Sequence, residues 1–184
     1  MSLTDDHFVI GERDGFSPKV GVLVSTLTNA RQYLKASVRG LSVQELDARP
    51  RLGKNSIGQL LAHVCAAETL LRSFTFEGRG YDEAGRERWQ AAFDFADSPH
   101  TRGRPLEAYL EDLDAVRAVT LAGLRERDDA WLEGPMTFAK RPANRHYYWV
   151  HLLQDEARHT GQVIMLRKHL LEGADAAFNP YDFR

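Results

Sequence analysis

Cysteine is nearly absent from this sequence: Cys65 stands alone among 184 residues. An intrachain disulfide is therefore excluded, and the fold must rest on packing, as suits a reducing compartment. Long apolar runs are missing too. No stretch reaches the roughly 18 residues that span a bilayer. The opening MSLTDDHFVIGERDG is acidic and lacks the apolar centre of a signal peptide. These absences predict a cytoplasmic protein with no membrane partner. Excess charge of one sign is also lacking: 24 basic and 26 acidic residues leave a net charge of −2. That gives no footprint for nucleic acid. The small basic groups Arg51–Lys54 and Arg102–Arg104 read as solvated loop charge. There is no repeat, no low-complexity tract and no convincing period-2 strand.

What remains is helical periodicity, in a chain that is 43% hydrophobic and long enough for one domain with a sizeable core, over residues 1–184. The first helix is predicted from Ser17 to Arg39, with Val20, Leu23, Leu27, Ala30, Leu34 and Val38 on one face. Ser17-Pro18 opens it and Gly40 stops it. Ser42-Val-Gln-Glu45 reads as a capping box for a short extra helix, ended by Pro50 and Gly53. A second long helix runs from Ser56 to Phe76 with the stripe Leu60, His63, Ala67, Leu70 and Phe74. Residues 78–104 break the pattern, apart from a short helix around Glu87–Phe93. A link this long can cross over and leave the helices on either side parallel. The third long helix spans Pro105 to Arg127, with Leu106, Leu110, Leu113, Leu121 and Leu124 inward. A loop with Gly134, Pro135 and Pro142 follows. The fourth spans Asn144 to Glu172, ended by Gly173, with the stripe Tyr148, Leu152, Asp155, His159, Val163, Leu166 and Leu170. The short aromatic tail AFNPYDFR is expected on the bundle surface. The predicted fold is all-α: a four-helix bundle with a long crossover between the second and third helices.

Ionisable residues stand where the apolar stripes should continue. Asp155 and His159, four apart, share one helix face about 6 Å apart along the axis. Imidazole nitrogen and carboxylate oxygen both bind zinc or a related divalent metal. His63 can supply a third ligand from the facing helix, with Ala66 and Ala67 leaving room beside it. Three ligands leave positions open, as in catalytic metal sites. The competing reading is a set of hydrogen-bonded core histidines with Asp155 paired to Arg158 or Arg167. His151 is about 12 Å along the axis from His159, too far to share one ion, and reads as a substrate-facing or ligand-orienting residue. Tyr148 is a second substrate-binding candidate within the aromatic cluster Tyr147-Tyr148-Trp149. Cys65 reads as a small core residue, and Glu68 and Glu156 as surface charges, with general bases or hydrogen-bond acceptors behind the ligands as the alternative.

The segments NSIGQLLAHVCAAE (Asn55–Glu68) and HLLQDEARHTGQVIMLRKHL (His151–Leu170) resemble those of the DinB/YfiT-like family of metalloenzymes. The first has a polar cap, an apolar helix, a histidine and a Glu five residues later. The second has a histidine and, eight residues on, His followed by x-Gly-Gln. The acidic residue four before that histidine is similar to relatives near the mycothiol-dependent enzymes. The resemblance implies a DinB/YfiT-type bundle and a metal triad of His63, Asp155 and His159. Family members often have His at the middle position and the acidic relatives Glu, so Asp155 is a departure. The resemblance also implies Zn or Ni, with Fe or Mn as further options, a homodimer, and S-transfer from a low-molecular-weight thiol such as mycothiol or bacillithiol to a small electrophile in stress or detoxification. Two alternatives stay open: a metal-dependent hydrolase using activated water, and a non-catalytic metal-binding or dimerisation module. The sequence assigns no catalytic residue.

Overall fold

A computed structural model describes residues 8–49 and 55–170. Four long helices dominate: α1 (Pro18–Ser37), α3 (Ile57–Glu77), α5 (Leu106–Arg125) and α7 (Arg145–Leu170). Shorter elements lie between them: α2 (Val43–Asp47), α4 (Glu83–Phe93), α6 (Asp129–Glu133) and the strands β1 (Pro135–Phe138) and β2 (Arg141–Asn144). The Arg51–Lys54 cluster, Pro50 and Gly53, the stop at Gly173 and the tail fall outside the described residues. No helix among the described residues is long and apolar enough to cross a membrane.

The helix ends follow from local chemistry. Ser42 and Ser56 each close a capping box, with Glu45 and Gln59 respectively. Ser17 sits at the N-cap of α1, but its hydroxyl donates to Asp129. Asp129 also accepts from the Lys19 and Val20 amides, at 2.9 and 3.2 Å, so α6 caps α1 from outside. Gly78, in the left-handed region at φ 70°, ends α3.

Side-chain pairings give the helix directions. Glu68 on α3 meets Arg117 on α5, and Arg72 reaches the Val116 carbonyl. Gly58 lies against Tyr109 and Gly123 against Phe76, so residue numbers rise together and α3 and α5 run parallel. At Gly58 a Cβ would sit 2.6 Å from the Tyr109 hydroxyl, so glycine permits the close approach. Arg31–Glu156 and the Arg167 bond to the Ser37 carbonyl make α1 and α7 parallel by the same logic. His63 lies beside His159 and Phe76 beside Trp149, so α3 and α7 are antiparallel. The long link carrying α4 is what lets α3 and α5 share a direction.

The core has two apolar halves. One gathers Leu34, Leu60, Leu61, Val64, Leu113 and Val163; the other Val20, Val24, Leu27, Leu71, Leu124 and Trp149. Between them lies a charged layer with one residue from each long helix. Glu68 and Glu156 are 0% exposed and Arg31 is 4% exposed. Arg31 Nη2 donates to Glu68 at 2.7 Å and Arg31 Nε to Glu156 at 2.6 Å. Arg117 Nε donates to Glu68 at 2.8 Å and Nη2 to Glu156 at 3.0 Å. The two arginines also donate to the Leu113 and Leu27 carbonyls, both at 2.7 Å. This corrects the surface reading of both glutamates. Each lies on a core register, and only paired charge survives there.

The hairpin is the second correction. Its strands are four residues long and carry Pro135 and Pro142, so no period-2 signal marks them. They pair antiparallel, with Phe138 opposite Arg141. Ala139 and Lys140 form the turn at φ 48° and 65°. Positive φ at both positions is the type I′ pattern that matches strand twist. Tertiary contact holds it: Tyr148 Oη donates to the Thr137 carbonyl at 2.7 Å, and the Phe138 ring packs on Tyr147, Tyr148 and His151.

Candidate metal centre

His63, at the seventh position of α3, and Asp155 and His159, one turn apart on α7, converge from antiparallel helices. Each offers a ligand atom within 4.8 Å of the others, the one such cluster among the described residues. Asp155 Oδ2 lies 3.6 Å from His63 Nε2 and 3.5 Å from His159 Nε2. The charged layer fixes this meeting. Glu68 lies five residues beyond His63, and Glu156 directly follows Asp155, so ion pairs to α1 and α5 set the rotation of both ligand-bearing helices.

Both imidazoles are anchored at the other nitrogen. His63 Nδ1 contacts the Phe93 and Ala92 carbonyls at 3.0 and 3.3 Å. A carbonyl can only accept, so Nδ1 carries the proton and Nε2 presents its lone pair inward. His159 Nδ1 bonds Gln162 Oε1 at 2.7 Å, with the same consequence. Asp155 divides its carboxylate: Oδ1 accepts from Arg158 at 3.1 Å, while Oδ2 faces the histidines. Two lone pairs and an anionic oxygen thus face one another beyond normal hydrogen-bond length. Such a donor set could hold a metal ion, and anchored imidazoles of this kind are typical of metal ligands.

The charges respond to one another. Burial pushes the Asp155 carboxyl up, but His159 and His63 outweigh it and hold it well below the usual range. Burial pushes His159 down, yet Asp155 and Gln162 prevail and raise it above 6.5.

An apolar cavity of about 370 Å³ opens beside the triad, with His63 and Asp155 in its lining. Both substrate-facing candidates, His151 and Tyr148, line it too. Phe74, 38% exposed, faces this cavity instead of the core. Trp149 is fully buried in the apolar half beside Leu152. Cys65 is buried, and burial pushes its thiol up, so it stays protonated and inert. Arg167 donates to the Ser37 and Arg39 carbonyls, so Arg158 is the arginine that pairs with Asp155.

Several site residues escape the sequence reading. Gln162 could have been found, since it lies three residues after His159 on the same helix face. Phe95 stacks on the His63 ring at 4.0 Å while its own backbone is left-handed at φ 56°. Its carbonyl accepts from Gln59 Nε2 at 2.9 Å, which ties the crossover to the start of α3. No local pattern announces this. The short helix foreseen around Glu87–Phe93 begins at Glu83 and ends on the two carbonyls that anchor His63. Phe138 and Ala139, at the hairpin tip, line the cavity.

Comparison with curated proteins finds no match. A family model described as mycothiol-S-transferase matches residues 22–171, which include all three converging residues and both buried glutamates. The chain belongs to the mycothiol S-transferase family.

Proposed function

We propose that the protein is a metal-dependent thiol S-transferase, a single four-helix-bundle domain in which His63, Asp155 and His159 hold a divalent metal. The observation that carries this reading is the convergence of two anchored Nε2 atoms and one carboxylate oxygen at the wall of an apolar cavity. Zn or Ni suits the nitrogen-rich donor set. The metal would supply acidity, lowering the pKa of a small thiol so that its thiolate form is present at neutral pH.

The chain's own groups do the rest. The Phe93 carbonyl and Gln162 keep both Nε2 lone pairs turned inward. Arg158 holds one Asp155 oxygen and leaves the other free. The cavity wall is mainly apolar, so an entering thiolate sheds part of its hydration shell. Its sulfur bonds to the electrophilic carbon as that carbon's bond to its leaving group breaks, and the leaving group departs with the bonding electron pair. His151, on the cavity wall and stacked near the Tyr147 ring, is placed to hydrogen-bond a polar atom of the substrate. An open cavity beside the donor set favours catalysis over a structural metal, whose ligands close around the ion.

The test is thiol consumption in the presence of an electrophile, using untagged protein either stripped of metal or loaded with Zn or Ni. Consumption by the loaded protein alone, lost in His63→Ala, is the expected result. Equal rates from loaded and stripped protein contradict the proposal.

A further inference from the structure

We infer that the electrophile is a neutral, mainly apolar molecule with an aromatic ring, selected by the cavity between α3, α7 and the hairpin. This rests on the thiol-transfer reading and names its second substrate. Leu70, Phe74, Phe93 and Phe138 supply aliphatic and aromatic wall. Among the described residues no lysine or arginine lines the cavity, and Asp155 is the one carboxylate. Away from the triad, a carboxylate, sulfonate or phosphate on the substrate would meet apolar wall with no cationic partner, at a desolvation cost. Tyr148 offers its ring but not its hydroxyl, which is spent on the Thr137 carbonyl.

His151 is the remaining polar side chain on the wall. It lies 4.9 Å from the Phe138 ring and 6.1 Å from that of Tyr147, stacked on the latter. The substrate therefore carries one polar atom toward His151 and presents its ring to the phenylalanines. A volume of about 370 Å³ is near the lower end of small-molecule sites, which run to about 1,000 Å³. That accommodates one or two fused rings. Phe138 sits at the tip of a hairpin whose turn holds two non-glycine residues in the left-handed region. It is the wall residue that sets selectivity, because it reaches the cavity from outside the helical core.

The experiment is calorimetric binding of naphthalene-1-methanol and naphthalene-1-sulfonate to the full, metal-free chain. The neutral probe should bind at least about tenfold more tightly than the anion. Phe138→Ala should weaken the neutral probe about five- to tenfold by removing one aromatic wall. Ala67→Leu, which fills the cavity from α3, should weaken it further. Should Ala67→Leu fail to fold, Phe138→Ala decides alone, since that side chain lies on the hairpin. Equal binding of the two probes, no binding of the neutral probe, or neutral-probe binding unchanged by Phe138→Ala overturns the inference. Probe binding needs neither metal nor thiol. Its failure therefore counts against the cavity's selectivity alone, whereas metal-independent thiol consumption counts against the transferase reading alone.

Discussion

Replacing Glu68 by Gln keeps the shape of the charged layer and removes one of its two negative charges. Glu68 is fully buried and accepts from Arg31 and from Arg117. Its loss leaves two buried guanidinium groups sharing Glu156. Breaking a buried pair from one side costs about 3–5 kcal/mol. The electrostatics of the buried carboxylate point to a similar size. Burial pushes the Glu68 carboxyl up, but Arg117 and Arg31 pull it from 4.5 down to about 2. At about 1.4 kcal/mol per unit, that is about 3 kcal/mol of linkage. The sign follows from proton uptake. A depressed carboxyl stabilises the fold above pH 4.5, and the contribution is lost as pH falls toward 2. Urea unfolding of metal-free protein at pH 7 should show Glu68→Gln destabilised by about 3–5 kcal/mol with an unchanged slope. The double variant Glu68→Gln/Arg117→Gln should cost about 2 kcal/mol less than the two single costs summed, because it restores charge balance. A single-variant loss below about 1 kcal/mol would refute the view that this layer holds the four helices in register.

His151→Ala should keep full metal content but lower the transfer rate, which parallel metal analysis and kinetics would show; metal loss matching that of His159→Ala would contradict its assignment. Replacing the turn Ala139-Lys140 by Asn-Gly should raise stability by about 0.5–1 kcal/mol in urea, since both residues now sit at positive φ without glycine's freedom. Metal affinity should fall on acidification with an onset above pH 6.5, because the raised His159 takes up a proton at its ligand atom. In the metal-free protein the same group works the other way: its stabilisation is complete below pH 6.5 and lost as pH rises through the raised value.

Much of this architecture is legible in the sequence because helix periodicity survives without tertiary information. The four stripes, the Ser42–Glu45 capping box, the helix start at Ser56 and the crossover follow from local rules. The triad is legible for the same reason: His63, Asp155 and His159 interrupt apolar stripes, and interruption is a signal. Arg31 and Arg117 interrupt stripes too, Arg31 lying between Leu27 and Leu34. Their partners, Glu68 and Glu156, lie off the stripes read for α3 and α7, Glu156 directly after Asp155, and read as solvent-facing. Only the packing of all four helices shows that these charges meet. The hairpin is hidden because its strands are short, Pro-containing and held by contacts to α7. Phe95 is hidden because its position over His63 depends on a bond from Gln59, thirty-six residues away.

The central claim is tested most directly by metal content. Untagged protein purified without chelators should carry about one divalent ion per chain, and His63→Ala, His159→Ala and Asp155→Asn should each lose it while remaining folded. Asp155→Asn is the sharpest of the three, because a neutral amide keeps the bond to Arg158 but is a poor partner for a dication. A destabilised Asn variant with undiminished metal, or wild-type protein that takes up none when offered Zn or Ni, would contradict the account.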